Sequence, residues 1–425
     1  SEICSAHEDP TISDKIIDKE REWYIMNNNI TASQLLTDRK AFDDTIESKP
    51  LLRMKHISHL DLDGYGATIL SLILQKIFPD NAMTLEISNI IPNRLSVELK
   101  ETLEHIDDYD LVIITDLSIN QTIVDILKDH PSANKVRIFD HHICEVTDLP
   151  ENFVISTKSP FYSDKLSCAT ELYFDFIKND KVYGLIHDIN VRERIKYFVE
   201  VVRAYDTFDF WKYKDIVENP ELDEEKRFSN YLIHAMKEAP RLNTLFHILD
   251  REEFQQYIIA YSLEGANYLT IANSFDKNDK YNWIDKVIGL EENKNKKYVE
   301  SAIRRIVKCP FKYDVYKEEK IYHMDYLFGV VFAEKSSPII ANTYLERNPD
   351  VDVCAVISNN QVSIYSIKKN IDVSAIAKVF NGGGHADAAG FSIPYLNASV
   401  YNQMHFQRIV ECAGNLIPED NNEEE

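Results

Sequence analysis

Apolar runs alternate with helical periods after residue 50. Runs typical of buried strands lie at residues 54–58, 83–88, 111–115 and 136–139, and helical periods at residues 66–78 and 96–104. Such alternation predicts an α/β domain with a mostly parallel sheet. A second alternating unit starts near residue 327, with strands at 327–333, 351–357 and 361–366 and helices at 338–346 and 373–380.

This pattern divides the chain into five predicted regions. They are an N-terminal helical appendage (1–50), an α/β domain (51–214), a charged helical connector (215–325), a smaller α/β domain (326–416) and an acidic tail (417–425). A chain of 425 residues is too long for one hydrophobic core, which agrees with more than one domain.

Acidic residues follow the predicted strands of the first α/β domain. Asp61, Asp63, Asp116 and Asp140 each come directly after an apolar run. Ligands of open α/β sheets bind outside the carboxyl ends of the strands, so these side chains are expected at one edge of the sheet. Alone, an Asp-x-Asp-Gly sequence is more typical of a turn and an aspartate after a strand is often a helix cap, but their clustering favours a functional site.

The spacing of these residues predicts how they are arranged. Asp61 and Asp63 are two apart on a segment expected to be extended, so both carboxylates can face the same ions. Asp116 ends a buried run and can bridge two metals. His141 and His142 are adjacent on an extended segment and should point in opposite directions, so one is interpreted as a ligand and the other as a substrate contact or supporting group.

A further acid lies near residue 206, where Asp206 and Asp209 are both candidates that spacing alone does not separate. Carboxylates and imidazoles together suit Mn²⁺ or Mg²⁺ better than a metal that prefers thiolates. Two such ions could polarise a phosphoryl group and deprotonate a water molecule, with no serine or cysteine nucleophile.

The smaller domain contains a second motif, Asn-Gly-Gly-Gly-His-Ala-Asp-Ala-Ala-Gly. The backbone amides of Gly382, Gly383 and Gly384 can line a phosphate or sugar without obstruction by side chains, and His385 can donate a hydrogen bond to a phosphate oxygen. A glycine turn that only caps a helix is the structural alternative, because glycine is common there.

Charge and cysteine content limit the class of function. The formal net charge of −23 makes a stable duplex nucleic-acid partner unexpected and favours a short oligonucleotide or small phosphodiester. The six cysteines form no Cys-x-x-Cys pair, and no apolar run is long enough to span a membrane. A cytoplasmic enzyme is expected, and an oligomer is compatible with the sequence.

These motifs together resemble the DHH phosphoesterase superfamily, in the branch with a DHH-associated C-terminal domain. Ser58-His59-x-Asp-x-Asp-Gly and Tyr205-Asp206-Thr207 look most like oligoribonucleases of the nanoRNase type. The resemblance implies a DHH catalytic domain, a C-terminal substrate-binding domain and an Mn²⁺ site in a cleft between them. It implies these metal ligands: Asp61, Asp63, Asp116, His141 and Asp206. It also places His142 and the loop of residues 382–385 at the substrate.

The chain departs from the family pattern at two positions. The histidine usually found four residues before the first aspartate is replaced by Ile57, so His59 or His56 is the substitute ligand. An arginine common before the glycine loop is absent, and Tyr365 lies near its place, where tyrosine could stack on a base but not neutralise a phosphate.

The function expected from the sequence is hydrolysis of short oligonucleotides, or nanoRNA, to nucleoside monophosphates by a two-metal phosphodiesterase. The enzymatic alternatives are a cyclic-dinucleotide phosphodiesterase, a nucleotide phosphatase and a RecJ-like single-strand exonuclease. A nucleotide-binding protein with a degenerate centre is the non-enzymatic alternative, which the intact acids disfavour.

Overall fold

The computed structural model describes residues 52–78, 83–128, 130–147, 149–179, 186–265, 282–317 and 320–392. The predicted appendage and acidic tail lie outside these residues, as does the end of the smaller domain. The chain divides into two compact units, residues 1–288 and 289–425. No helix in the described part of the chain combines the length and the apolar character needed to cross a bilayer.

The first unit is built on a parallel sheet of five strands in the order β2-β1-β3-β4-β5. The strands are β1 Leu52–Ser58, β2 Met83–Asn89, β3 Leu111–Thr115, β4 Val136–Asp140 and β5 Phe153–Ile155. The helices of this unit are α1 Leu62–Ile77, α2 Leu95–Glu104, α3 Gln121–Lys128, α4 Ala169–Asn179, α5 Ile189–Asp206, α6 Asp209–Lys212, α7 Lys214–Glu218, α8 Asn230–Ile248 and α9 Arg251–Glu264. A further helix, α10 Asn282–Arg304, leads into the second unit.

Helices cover both faces of this sheet, because its strands are apolar on both sides. Ile113 packs into the large core with helices α1, α4, α5, α8 and α9, whereas Val112 and Ile114 pack into the core with α2 and α3. Strand order reverses between β1 and β3, which lie side by side although β2 separates them in sequence. Such a switch point opens a crevice at the carboxyl ends of the two strands. The residues that follow β1 and β3 therefore lie beside this crevice.

The second unit contains a mixed sheet in the order β10-β11-β9-β8-β7-β6. Its elements are β6 Val307–Lys317, β7 Lys320–Phe332, α11 Ser337–Arg347, β8 Val353–Ser358, β9 Gln361–Tyr365, α12 Val373–Val379, β10 Gly383–Gly384 and β11 Ala388–Ser392. Helix α11 packs on one face through Ile340 and α12 on the other through Ile376. The predicted fold class, a mixed α/β protein with a parallel sheet and a second sheet toward the C-terminus, is confirmed.

One stretch differs from its predicted secondary structure. The sequence was expected to be helical up to residue 325, but residues 307–317 and 320–332 form a long antiparallel hairpin. Apolar and polar residues alternate in the first of these strands, as in Val307-Lys308-Cys309, and this period of two favours a strand over a helix. The domain boundaries themselves stay a prediction.

Candidate active site

Asp61 and His59 lie in the turn that leaves β1. One oxygen of Asp61 accepts a hydrogen bond from the backbone N–H of Gly64 at 3.0 Å and so caps α1, while the other lies 2.9 Å from Nδ1 of His59. A Cβ atom at Gly64 would lie 2.4 Å from the carbonyl oxygen of His59, so a larger residue would force this turn open. The turn therefore requires glycine and leaves one Asp61 oxygen facing His59.

Asp63 is helical, which corrects the expectation of an extended segment. It occupies the first turn of α1 because the helix starts at Leu62, and it is buried. Its two carboxylate oxygens accept the backbone N–H groups of Ala169 at 2.7 Å and Thr170 at 2.8 Å. The start of helix α4 thus holds this carboxylate in place, with its negative charge at the positive end of the helix dipole.

Asp116 follows β3 in a left-handed backbone conformation, with φ of 57°. A residue other than glycine adopts this conformation at an energetic cost, and such strain clusters at functional sites. Its oxygens lie 3.3 Å from Nε2 of His141 and 3.5 Å from Nδ1 of His59. Burial raises the pKa of Asp116 well above its usual range, and the negative charges of Asp61 and Asp63 raise it further.

The adjacent histidines have different partners. Nε2 of His141 lies 3.5 Å from Asp206 and 3.7 Å from Asp63, in addition to its contact with Asp116. Nδ1 of His142 lies 2.7 Å from Asp140 at the end of β4. The two rings do not point in opposite directions as expected, because their centroids are only 4.4 Å apart. His141 nevertheless is the one whose ring nitrogen lies among three carboxylates.

The structure distinguishes between the candidate ligands that the sequence left as alternatives, Asp206 or Asp209 and His59 or His56. Asp206, the last residue of α5, lies beside His141, whereas Asp209 pairs with the guanidinium of Arg203 at 2.9 Å. Burial raises the pKa of Asp206 to about 7, although the nearby His141 lowers it. His59 lies beside the carboxylates, whereas His56 is fully buried.

The surroundings of His56 make it part of the core. Its ring nitrogens lie 2.7 Å from the hydroxyl of Ser71 and 2.9 Å from that of Thr115, and burial lowers its pKa to about 3. His59 has the opposite shift. Burial alone would lower its pKa, but the neighbouring carboxylates of Asp116 and Asp61 raise it to about 10.

The donor atoms fit hard divalent metal ions. One triad comprises His59, Asp61 and Asp116, a second comprises Asp63, His141 and Asp206, and the ligand atoms within each lie within 4.8 Å of one another. Asp116 and His141 connect the triads and also group with Asp140 and His142. Within the described part of the chain, one buried oxygen each of Asp116, Asp140 and Asp206 accepts no hydrogen bond, although burying an unpaired carboxylate oxygen is costly. Mixed oxygen and nitrogen donors of this kind suit Mn²⁺ or Mg²⁺.

The glycine motif forms a tight hairpin in the second unit. Gly383 and Gly384 pair with Gly390 and Ala389, and the N–H of His385 donates to the carbonyl of Ala388 at 2.7 Å. A Cβ atom at residue 382 would lie 2.1 Å from the carbonyl oxygen of Gly390, whereas residue 383 faces open space. Part of the glycine requirement is thus steric, and the backbone of residue 383 stays accessible.

Tyr365 does not have the environment expected of a residue that stacks on a base. It is 9% exposed and packs in the core formed with helix α11. Burial raises its pKa to about 12. The sequence suggested a role at the substrate because of its place in the chain, but Tyr365 follows the apolar alternation of β9 into the core.

Several residues at this site belong to no recognisable sequence motif. The backbone amides of residues 169 and 170 were not anticipated, nor was the pairing of Asp140 with His142. The helical stretch after residue 215 also contributes side chains to a cavity beside the carboxylates, among them Asn243 and Arg251. Apolar helical periods predict such helices but do not show which of their polar residues face a site.

The chain is similar to proteins of known family. Residues 56–197 match the family model described as the DHH family, N-terminal domain, and residues 324–411 match the DHHA1 domain. It is 27% identical to oligoribonuclease NrnB of Bacillus subtilis over 347 residues, which is 80% of this chain and 73% of that protein. It is 24% identical to a 3′,5′-cyclic-nucleotide phosphodiesterase of Helicobacter pylori over 362 residues, 81% of this chain and 93% of that protein.

The fold is also similar to a solved structure. The crystal structure of RecJ in complex with Mn²⁺ from Thermus thermophilus matches with a TM-score of 0.50 and 15% identity, over 89% of this chain and 54% of the RecJ chain. Both family models and the carboxylate–histidine site lead to the same conclusion: the chain belongs to the DHH family, with a DHH domain followed by a DHHA1 domain.

Proposed function

We propose that this protein is a two-metal phosphodiesterase that hydrolyses short oligonucleotides to nucleoside monophosphates. It is a hydrolytic enzyme of the DHH family. The observation that carries the proposal is the pair of donor triads joined by Asp116 and His141. Some of their buried carboxylate oxygens accept no hydrogen bond from the residues that the structure describes. Cations would neutralise these oxygens.

The proposed ligands follow from the geometry of the two triads. His59, Asp61 and Asp116 would hold one ion, and Asp63, His141 and Asp206 the other, with Asp116 between them. When bound, the ions would polarise the phosphodiester, activate a water molecule and stabilise the leaving oxygen. We propose Mn²⁺ as the metal, with Mg²⁺ as the alternative. Because the pKa of His59 is about 10 in this structure, coordination would require this ring to lose a proton.

The chain's own residues would orient the ligands and the substrate. The amides of residues 169 and 170 fix the carboxylate of Asp63, so this ligand needs little rearrangement to bind an ion. Asp140 holds the ring of His142 through Nδ1, and this ring would contact the substrate phosphate. The second unit would bind the substrate through its glycine hairpin. The contacts would come from the accessible backbone at Gly383, between Gly382 and Gly384, and from the side chain of His385.

The substrate class rests on similarity and charge. The relative NrnB is named as an oligoribonuclease, and a net charge of −23 disfavours a long polyanion on the exterior of the protein. A substrate of a few nucleotides would keep most of its phosphates near the ions. Hydrolysis of 3′,5′-cyclic nucleotides is the second candidate, because the relative from Helicobacter pylori bears that name.

A substrate panel tests the proposal. Purified protein with Mn²⁺ is offered RNA and DNA oligomers of two to twenty-four nucleotides, cyclic dinucleotides, 3′,5′-cyclic nucleotides and nucleoside monophosphates, at low and high salt. We expect the highest kcat/KM on oligomers of about two to five nucleotides. The length penalty should be steeper at low salt, since screening acts over about 10 Å at moderate ionic strength. Digestion of long strands with no length penalty would favour a RecJ-like nuclease instead.

A further inference from the structure

A cavity of about 380 Å³ opens beside the carboxylates of the first unit. One side of it consists of proposed metal ligands, namely His59, Asp61, Asp63 and Asp206. The remainder of the lining includes Asn243, Phe246 and His247 near the end of α8 and Arg251 at the start of α9. The cavity therefore places a cationic and an amide side chain in the same space as the proposed metal centre.

Arg251 is held in position without being neutralised. Its guanidinium carbon lies 3.5 Å from the centre of the Phe246 ring and 5.7 Å from that of Tyr65, and one guanidinium N–H donates to the carbonyl of Phe246. Among the described residues no carboxylate lies within ion-pair distance of it, in contrast to Arg53 and Arg203, which pair with aspartates. The chain has 70 acidic and 47 basic residues, so a half-buried arginine without an acidic partner is unexpected.

The position of Arg251 in its helix also argues against a purely structural role. It is the first residue of α9, where the helix dipole is positive and a cation is unfavourable. Its hydrogen bond to the carbonyl of Phe246, in the last turn of α8, uses one guanidinium nitrogen and leaves the other N–H groups for an anion. Asn243 is comparable, because its side chain makes no hydrogen bond with the described part of the chain although it lines the cavity.

We propose that Arg251 and Asn243 form a subsite for a second phosphate of the substrate, next to the phosphate that is cleaved. The proposal rests on the proposed function and specifies which substrates it favours. A guanidinium can give two parallel N–H donors to a phosphate, and the amide of Asn243 can add a third. The subsite selects short substrates that carry a phosphate besides the scissile one.

A matched set of three dinucleotides tests the subsite. The dinucleotide pNpN has a terminal phosphate in addition to the scissile one, NpNp has it at the other end, and NpN lacks it. We expect Arg251→Gln to lower kcat/KM for a two-phosphate substrate about ten- to hundredfold, mainly through KM, because a charge-assisted hydrogen bond is lost. Activity on NpN should change less than about twofold, and Arg251→Lys should recover part of the loss.

Controls separate the subsite from general effects. Asn243→Ala should show the same selectivity with a smaller loss, whereas Lys237→Ala, an exposed cation on the same helix and outside the cavity, should show none. Unchanged turnover of NpN reports that the Arg251→Gln protein is folded. An equal loss on all three dinucleotides, or no loss on any of them, would overturn the subsite.

Binding measurements keep this test independent of the proposed function. Titration calorimetry of the Mn²⁺-loaded protein compares a nucleoside 3′,5′-bisphosphate with a nucleoside 5′-monophosphate. Arg251→Gln should weaken binding of the bisphosphate about tenfold or more and leave the monophosphate unchanged. A wild-type protein that cleaves no dinucleotide would refute the proposed function, whereas unchanged discrimination between the two ligands would refute the subsite.

Discussion

Two buried groups of charged side chains share helix α5, and they differ in how their charges are balanced. The arginine cluster comprises Arg203, Glu200, Asp209 and Glu171. Arg203 is 1% exposed and donates to Glu200 at 3.0 Å and to Asp209 at 2.9 Å. The carboxylate cluster comprises the two donor triads described above, and its nearest positive groups are histidines.

This difference separates a structural cluster from a candidate site. The arginine cluster contains a permanent cation, which forms ion pairs with Glu200 and Asp209. Its third acid, Glu171, keeps one oxygen that accepts no hydrogen bond from the described residues. In the carboxylate cluster, one buried oxygen each of Asp116 and Asp206 accepts no hydrogen bond from the described residues, and the neighbouring cations are His59 and His141. Buried acids alone therefore do not indicate function. The useful signal is a group of acids whose nearest cations are histidines, because a histidine can lose its proton and bind a metal ion.

The largest effect is expected from removing the cation of the arginine cluster. Arg203→Met should lower the free energy of unfolding by about 3–5 kcal/mol, because it leaves buried carboxylates without a cation. Urea unfolding measures the loss. The control is Arg53→Met, whose exposed pair with Asp110 should contribute less than about 1 kcal/mol. Similar small losses in both variants would mean that the cluster is not held by its arginine.

Removing an acid from the other cluster should affect activity far more than stability. Asp116→Ala should reduce kcat by more than about a hundredfold, the upper range for groups that only support a metal ligand. Its thermal midpoint without metal should stay equal or rise, because crowding of buried like charges is relieved. Asp125→Ala, an exposed residue on α3, serves as the control. Full activity with metal bound would contradict the proposed role of Asp116 as a ligand.

A variant in the glycine hairpin tests whether the first unit supplies all the metal ligands. His385→Ala should weaken apparent substrate affinity about ten- to hundredfold, since a hydrogen bond to a charged phosphate is lost. Metal content, measured by inductively coupled plasma mass spectrometry, should equal that of the wild type. A loss of metal would make His385 a ligand and refute the assignment of all ligands to the first unit.

The smallest effect concerns pH. Burial raises the pKa of Glu171 to about 8, although Arg203 opposes the shift. The folded state therefore binds this proton more tightly than the unfolded state, so the stability it contributes is present below about pH 4.5 and lost as pH rises toward 8. Glu171→Gln should reduce the fall in unfolding free energy between pH 5 and 8 by more than about 1 kcal/mol. Parallel pH profiles would show that Glu171 ionises normally.

Continuous apolar runs made the fold predictable. The strand expected at residues 111–115 is found there, because a sheet covered on both faces needs apolar residues at every position. Asp61 and Asp116 could be placed near each other since β1 and β3 are parallel neighbours. Their roles as ligands stay a proposal.

The details that sequence could not supply depend on packing. Whether His56 or His59 faces the acids depends on which residue of β1 points into the core, and the difference between Asp206 and Asp209 depends on a turn. That turn contains Phe208 in a left-handed conformation with φ of 62°. Arg251 is distant in sequence from every motif, so only the packing of α8 and α9 brings it to the cavity.

The last turn of α5 also determines which changes of length the chain can tolerate. Arg203 and Asp206 are three residues apart in one helix, so a single inserted residue between them would rotate the following side chain by about 100°. Such an insertion would displace Asp206 relative to the arginine cluster, which anchors the helix. A related protein with an insertion inside this turn would therefore be expected to lack this arrangement.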